Sequence, residues 1–492
     1  MKKHSGEGDK MVRTKVAAKK KNEINMLEGP LFGKIFLFTL PIIASGILQI
    51  LFNAADLIVV GRFESSLAVG AVGATSSLTN LIVALFLGLS VGAGAAVSMA
   101  VGARRQQEAS DLVHSAMALA LLSGTLLAIA GWFLAPTMLA WMNTDPLILG
   151  KAALYLRIYF LGAPALLIYN TGYSIMRGLG DTTRPLIYLL ISGITNVILN
   201  VIFVVAFGLG VAGVAIATVA SLVISAVLVT VALMRYENAC RLRLPAVRMH
   251  PRCVAIILRI GIPAGVQALL FGVSNALLQA SVNGFGAAAT AGVAAASSLE
   301  GIAFISMSSF SAAATAFTGQ NYGARHYARI RRVMWICLIY ETVLGTAVSL
   351  FMLLIKEPLL LIYLPNAPDA LPYATQRMVM VLSLYGIYGI GDALLGVLRG
   401  IDVSLVPTVG TVGAICGSRL LWIFLVFPLP AFHTVTGLYG CYPISWFLAA
   451  VFNACCMGYY FRRRCPKEKE VPEGQELPGE QEISAETSAV EM

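Results

Sequence analysis

Charge is scarce in this chain. Asp, Glu, Lys and Arg make up 12% of its 492 residues, about half the share usual in a soluble domain. So few ionised side chains exclude an ordinary water-soluble globule. Cysteine carries no message. Eight are present, no two form a CxxC pair, and the adjacent Cys455 and Cys456 would face different directions on a helix. Neither a disulfide framework nor a zinc site is expected. No GxxxxGK[ST] loop occurs, so a carrier with its own ATPase is not expected; energy would come from a gradient or from a partner. No nucleophile–base pair or metal-ligand cluster stands out, so neither an enzyme nor a bound cofactor or metal is read here. No cleavable signal peptide is expected, because the first apolar stretch starts near residue 35 and is too long for an h-region. The ten-residue alternating segments of a membrane β-barrel are also missing.

Apolar sequence is what the chain has in quantity. Hydrophobic residues make up 58% and the mean hydropathy is +0.79. Long apolar runs recur at approximately 35–60, 67–100, 112–140, 153–176, 185–207, 213–234, 255–282, 288–319, 332–355, 377–398, 406–427 and 437–461. Most approach the 20 or so residues a helix needs to cross the hydrocarbon. The second and eighth are too long for that, so part of each must tilt or project from the bilayer. Their Gly, Ala and Ser content suits close helix–helix contact. The expected fold is an all-α membrane protein of twelve spans.

The architecture is duplicated. Arg177-Gly178 precedes Pro185 as Arg399-Gly400 precedes Pro407, at an offset of 222 residues. AVGATSSL at 71–78 precedes Gly102-Ala103-Arg104, and GVAAASSL at 292–299 precedes Gly323-Ala324-Arg325, at an offset of 221. A duplicated bundle of spans usually encloses a transport pathway between its halves. The parts are then a tail (1–30), an N-lobe (31–235), a linker (236–254), a C-lobe (255–461) and an acidic tail (462–492).

Basic residues fall on one side. With the N-terminus taken as cytoplasmic, 29 of the 35 Lys and Arg lie in the tails and even-to-odd loops. Arg62, Lys151, Arg157, Lys356 and Arg377 fall on the other side, and Arg419 falls within a span. This positive-inside bias puts both termini in the cytoplasm of a multi-pass protein of the plasma membrane. The net charge of +10 is thus a topology signal rather than a nucleic-acid footprint. The N-terminal tail is expected to be solvated and disordered, with contact to anionic lipid as the alternative. The tail from 466 on, with eight Glu, is expected to be disordered. His114 and Arg157, near span ends, are read as headgroup-facing.

Charges within spans are costly and ask for a reason. The deep candidates are Asp56, Glu300, Glu341, Asp392 and Arg419. Asp56 is the best of them. Gln49 and Asn53 precede it by seven and three residues, so the three share one helix face. Pro41 lies in the same helix and permits a bend. The alternative is a carboxylate held for packing alone. Glu341 is read as paired or headgroup-facing. Tyr169, Tyr173, Phe271, Tyr385 and Tyr388 either line a cavity or serve ordinary packing.

Several motifs together resemble the multidrug and toxic compound extrusion (MATE) family, in particular its DinF-like branch. They are Pro41…Asp56…Gly61, Arg177-Gly-Leu-Gly-Asp181 with Pro185, TGQNYGA (318–324), and CGSRLLWIFLVFPL (416–429) followed by YPISW (442–446). The resemblance covers about 30–461. It implies two six-helix lobes related by pseudo-twofold symmetry and outward efflux in exchange for H⁺ or Na⁺. It also implies an N-lobe cation site at Asp56, Asn170, Asn196 and Thr218. Asn200 stands where archaeal-type members have a second Asp, so the site would hold one carboxylate. Paired Asn residues also act as helix–helix glue. Glu300, Asp392 and Arg419 form either a second site or a buried ion network in the C-lobe.

The expected activity is a cation-coupled antiporter, acting as a monomer and exporting amphiphilic, cationic small molecules. The alternative is a lipid-linked precursor flippase of the same superfamily. Four intramembrane acids against one Arg favour the antiporter. No nucleic-acid partner is expected.

Overall fold

Long apolar segments in lipid have few ways to satisfy their backbone, and coiling into helices is the one open to each segment alone. The computed structural model describes residues 23–63, 66–142, 144–365 and 367–466. The expectations for residues 1–22 and 467–492 lie outside the described residues. Among the described residues ten helices are long and apolar enough to cross a membrane, and two bent pairs bring the number to twelve. In chain order they are α1 (Leu31–Phe63), α2 (Ser66–Gly102), α3 (Gln106–Trp141), the bent pair α4 (Pro146–Leu161 and Ala163–Gly178), α5 (Thr183–Ala206) and α6 (Gly210–Met234). The second set is α7 (Pro251–Asn283), α8 (Ala287–Gly323), α9 (Tyr327–Leu354), the bent pair α10 (Pro368–Leu382 and Tyr385–Gly400), α11 (Leu405–Val426) and α12 (Val435–Arg464). The two long helices α2 and α8 have 37 residues each. At 1.5 Å per residue that is roughly 55 Å, well beyond a hydrocarbon core of about 30 Å.

Two spans differ from the sequence reading. The runs expected at 153–176 and 377–398 start earlier, at Pro146 and Pro368, and each is broken by a bend of 48° and 47° respectively. In α4 the break falls at Gly162, just before Pro164, whose ring removes a backbone donor. In α10 it falls at Leu384, 222 residues after Gly162 and without a proline. The bend belongs to the duplicated architecture, and the proline serves only one copy.

The duplication is also written in the backbone dihedrals. Arg104 (φ 56°) and Arg325 (φ 61°) turn the chain after α2 and α8 in the left-handed region. Gly180 (φ 98°) and Asp402 (φ 62°) do so after α4 and α10. A non-glycine residue at positive φ is uncommon, so three such residues at duplicated turns mark one design used twice.

The helices form two six-helix lobes, α1–α6 and α7–α12, with the first helix of each lobe divided between them. The beginning of α1 (Leu31, Ile35, Phe38, Ile42) packs in a core with Phe310, Phe317, Val333 and Leu398 of the second lobe. Its far half (Val59, Val60) packs with Val204, Val211 and Val214 of the first. In the same way the start of α7 (Cys253, Ile257) joins the first lobe's core. Its far half (Leu278, Val282) joins the second lobe's core.

Contact between lobes is tightest at the end that carries Arg104 and Arg325. Further into the bundle from that end α2 lies directly on α7: a methyl group at Gly88 would overlap the Gly261 carbonyl and the Gly265 backbone. Gly102 and Gly323 make the equivalent close approach between α2 and α8. Only glycine lets two backbones come so near. Gln320 Nε2 donates to the Gly178 carbonyl at 2.8 Å across the same end. The segment before α1 ties both lobes there. Ile24 N donates to the Gly180 carbonyl at 3.0 Å, while Asn321 and Arg329 of the second lobe donate to the Met26 carbonyl at 3.2 and 3.3 Å. Toward the other end of α2, a Cβ at Gly73 would meet nothing within 4 Å. Asn53 at that level and Asn275 are both exposed. A cleft between the lobes thus opens away from the basic end.

Candidate substrate and ion site

The polar face of α1 meets α5 and α6 at Asp56. Asn200 Nδ2 donates to Asp56 Oδ1 at 2.5 Å and lies 3.3 Å from Asn196 Oδ1. The two Asn residues stand one helical turn apart on α5, which aims both at one spot. The Thr218 hydroxyl of α6 is also beside the carboxylate, and donates to the Val214 carbonyl at 2.9 Å. Tyr155 of α4 adds an aromatic wall near Asp56. Asn200 Oδ1 is buried and accepts no hydrogen bond among the described residues. The cluster therefore pairs a carboxylate with an unused carbonyl oxygen, a donor set that suits a proton or a hard cation.

Four of the five residues of the expected N-lobe cation site come together: Asp56, Asn196, Asn200 and Thr218. Asn170 stands apart from this hydrogen-bond chain, its amide donating to the Leu166 carbonyl one turn back at 2.8 Å. α1 runs through Pro41 as one helix, and Ser45 Oγ donates to the Pro41 carbonyl at 2.8 Å.

The second lobe departs from the expected ion network. Glu300 pairs with Arg377 rather than Arg419. Arg377 Nε and Nη2 donate to the two Glu300 carboxylate oxygens at 2.9 and 2.8 Å, and Nη1 donates to the Tyr439 hydroxyl at 3.0 Å. The sequence reading sets Arg377 on the outer side; the residue lies buried inside α10 because that span starts nine residues before it, at Pro368. Arg419 instead donates to Asn275 Oδ1 at 3.0 Å and to Ser445 Oγ at 3.4 Å, and stacks 4.1 Å over the Tyr442 ring. Asp392 belongs to neither group. It lines a small neighbouring cavity with Gln267, Thr411 and Asn453. Glu341, expected to be paired or headgroup-facing, is fully buried on α9, and neither carboxyl oxygen has a hydrogen-bond partner among the described residues.

Glu300, Arg377 and Arg419 line a cavity of about 360 Å³ together with Phe271, Tyr385 and Tyr388. Three of the five aromatic residues proposed from sequence as cavity-lining thus do so. Tyr169 and Tyr173 stack on each other at 6.2 Å. His114, read as headgroup-facing, is buried: Nδ1 lies 2.7 Å from the Ser110 carbonyl and Nε2 accepts from Arg243 N at 3.1 Å, tying α3 to the linker. Arg157 Nε donates to the Trp132 carbonyl at 3.1 Å.

Comparison with known proteins agrees with this duplicated plan. The MatE family profile matches residues 41–202 and again 263–425. The chain is 25% identical over 435 residues to the "Probable multidrug resistance protein YoeA" of Bacillus subtilis, covering 86% of this chain and 92% of that protein. It is 24% identical over 379 residues to a protein of Shewanella oneidensis named "FAD transporter", covering 75% and 82%. Among solved structures, an outward-facing multidrug resistance MATE transporter superposes with a TM-score of 0.79 at 21% identity, covering 89% of this chain and 98% of that one.

Proposed function

The chain belongs to the MatE family of membrane transporters, and from that premise we propose that it is a cation-coupled antiporter, using H⁺ or Na⁺ to export amphiphilic small molecules. The observation that carries this reading is the Asp56 cluster: a carboxylate of α1 held by Asn200, with an unused Asn200 oxygen beside it. The negative charge of a carboxylate in a low-dielectric bundle is removed by a proton and offset by a metal cation or an organic cation, and so one group can serve the driving ion and the substrate in turn. The closure of the lobes at the basic end supports alternating access. With that end in the cytoplasm, the conformation described is the outward-open one. A cationic substrate fits Asp56, while one relative carries the name "FAD transporter".

The test is transport of a fluorescent organic cation in proteoliposomes with pH and Na⁺ gradients imposed separately. Asp56→Asn keeps the shape of the side chain and removes its charge. It is expected to abolish gradient-driven efflux under both gradients while leaving the melting temperature close to wild type. Efflux at the wild-type rate in Asp56→Asn would remove the N-lobe site from the mechanism and leave Glu341 and Asp392 as the next groups to examine.

A further inference from the structure

The aromatic cavity of the second lobe carries an unbalanced positive charge. Three ionisable side chains line it besides tyrosine: Glu300, Arg377 and Arg419. Glu300 and Arg377 neutralise each other through a two-pronged contact at 2.9 and 2.8 Å. No described carboxylate pairs with Arg419. Its Nε and Nη1 bind neutral oxygens, those of Ser445 and Asn275, and its Nη2 takes no partner among the described residues. Stacking on Tyr442 offsets part of the cost of burying a guanidinium, but not the missing counter-charge. An unpaired buried arginine is costly where a neutral residue of similar size would cost little.

The walls are flat and apolar. Tyr385 lies 5.6 Å from Tyr388 and 5.2 Å from Trp446, and Phe304 lies 5.8 Å from Tyr388. These rings pack on one another and together line the cavity, where a further ring can pack against them. Arginine is the side chain best suited to an oxyanion, which it can grip with two parallel N–H donors.

We propose that this cavity binds an aromatic molecule bearing an oxyanion, its ring against Tyr385, Tyr388 and Trp446 and its anionic group on Arg419. This deepens the efflux reading and rests on it only for the direction of transport. It also divides the two lobes by charge: Asp56 serves cations and Arg419 serves anions, so a zwitterion would satisfy both.

The experiment is equilibrium dialysis of the full chain in nanodiscs, against empty nanodiscs, with 2-naphthoate and its uncharged isostere 2-naphthamide. Wild type is expected to retain the acid at least about tenfold more tightly than the amide, the discrimination of one charge-assisted hydrogen bond. Arg419→Gln is expected to lose that preference through weaker binding of the acid, with the amide unchanged. Asn275→Asp sets a carboxylate against the guanidinium and is expected to do the same with Arg419 still in place, which keeps the test valid if Arg419→Gln does not fold. Equal retention of acid and amide by wild type overturns the proposal, as does an undiminished preference in the folded variants. No gradient is applied, so binding is read apart from transport. A protein that binds the acid but moves nothing in proteoliposomes would refute the efflux reading and leave this site standing.

Discussion

The buried Glu300–Arg377 pair fixes the geometry of the aromatic cavity, and its energetics differ from those of Arg419. Removing one member of a buried ion pair leaves a charge with nothing to balance it and typically costs about 3–5 kcal/mol. Arg377→Met is therefore expected to lower the melting temperature sharply, and Glu300→Gln to do likewise. The double variant is expected to be more stable than either single one, because it buries no lone charge. Arg419→Met removes a cation that has no described counter-charge, and its melting temperature is expected to stay within a few degrees of wild type. Thermal unfolding of the four variants in one detergent checks this. A double variant no better than Arg377→Met would show that the contact matters through packing and the Tyr439 hydrogen bond rather than through charge.

At the scale of elements, the duplication is legible in the sequence and the bends are not. Landmarks such as Arg177-Gly178 and Arg399-Gly400 fall at the last turns of α4 and α10, as their spacing implies. Asp56 is legible too, since an acid among apolar residues, with Asn53 and Gln49 on its face, has few readings in a membrane. Arg377 escapes because hydropathy ranks a charged residue near a span's edge as loop. Here the chain enters the bundle at Pro368 and the charge is satisfied by Glu300, a residue 77 positions away. Pairing across the fold has no local signature, and the same holds for the Asn275 contact to Arg419. Close helix crossings are legible only as glycine content; which glycines touch is decided in three dimensions. Gly88 is the one to test, for it seats α2 on the Gly261 and Gly265 backbone of α7. Gly88→Val is expected to hold the lobes apart at the basic end. Spin labels at Gln107→Cys and Arg332→Cys, both exposed at that end, would then report longer distances than in wild type. An unchanged distance distribution would mean that α2 and α7 can yield without separating the lobes.

At the scale of the whole molecule, the direction of transport depends on which end faces the cytoplasm. Lys and Arg resist translocation, so the end rich in them is expected to stay inside. The clustered residues are those around Arg104, Arg184, the linker from Arg235 to Arg259, Arg325 to Arg332, and Arg462 to Arg464. The fold gathers these loops at one end, the one where the lobes meet. The linker offers a direct probe, because Ala246 is exposed in a short helical turn of it. Native thiols interfere little there: burial pushes the nearby Cys240 thiol up to about 12, and a maleimide needs the thiolate. The exposed Cys455 is replaced by Ser to clear the background. Ala246→Cys is expected to resist a membrane-impermeant maleimide in intact cells and to react once the membrane is opened. A positive control on the opposite end, Phe432→Cys, is expected to react in intact cells, Phe432 being exposed beyond α11. Labelling of Ala246→Cys from outside would invert the molecule. The cleft would then open inward, and the cycle would have to load its substrate from the conformation that the proposed antiporter uses to release it.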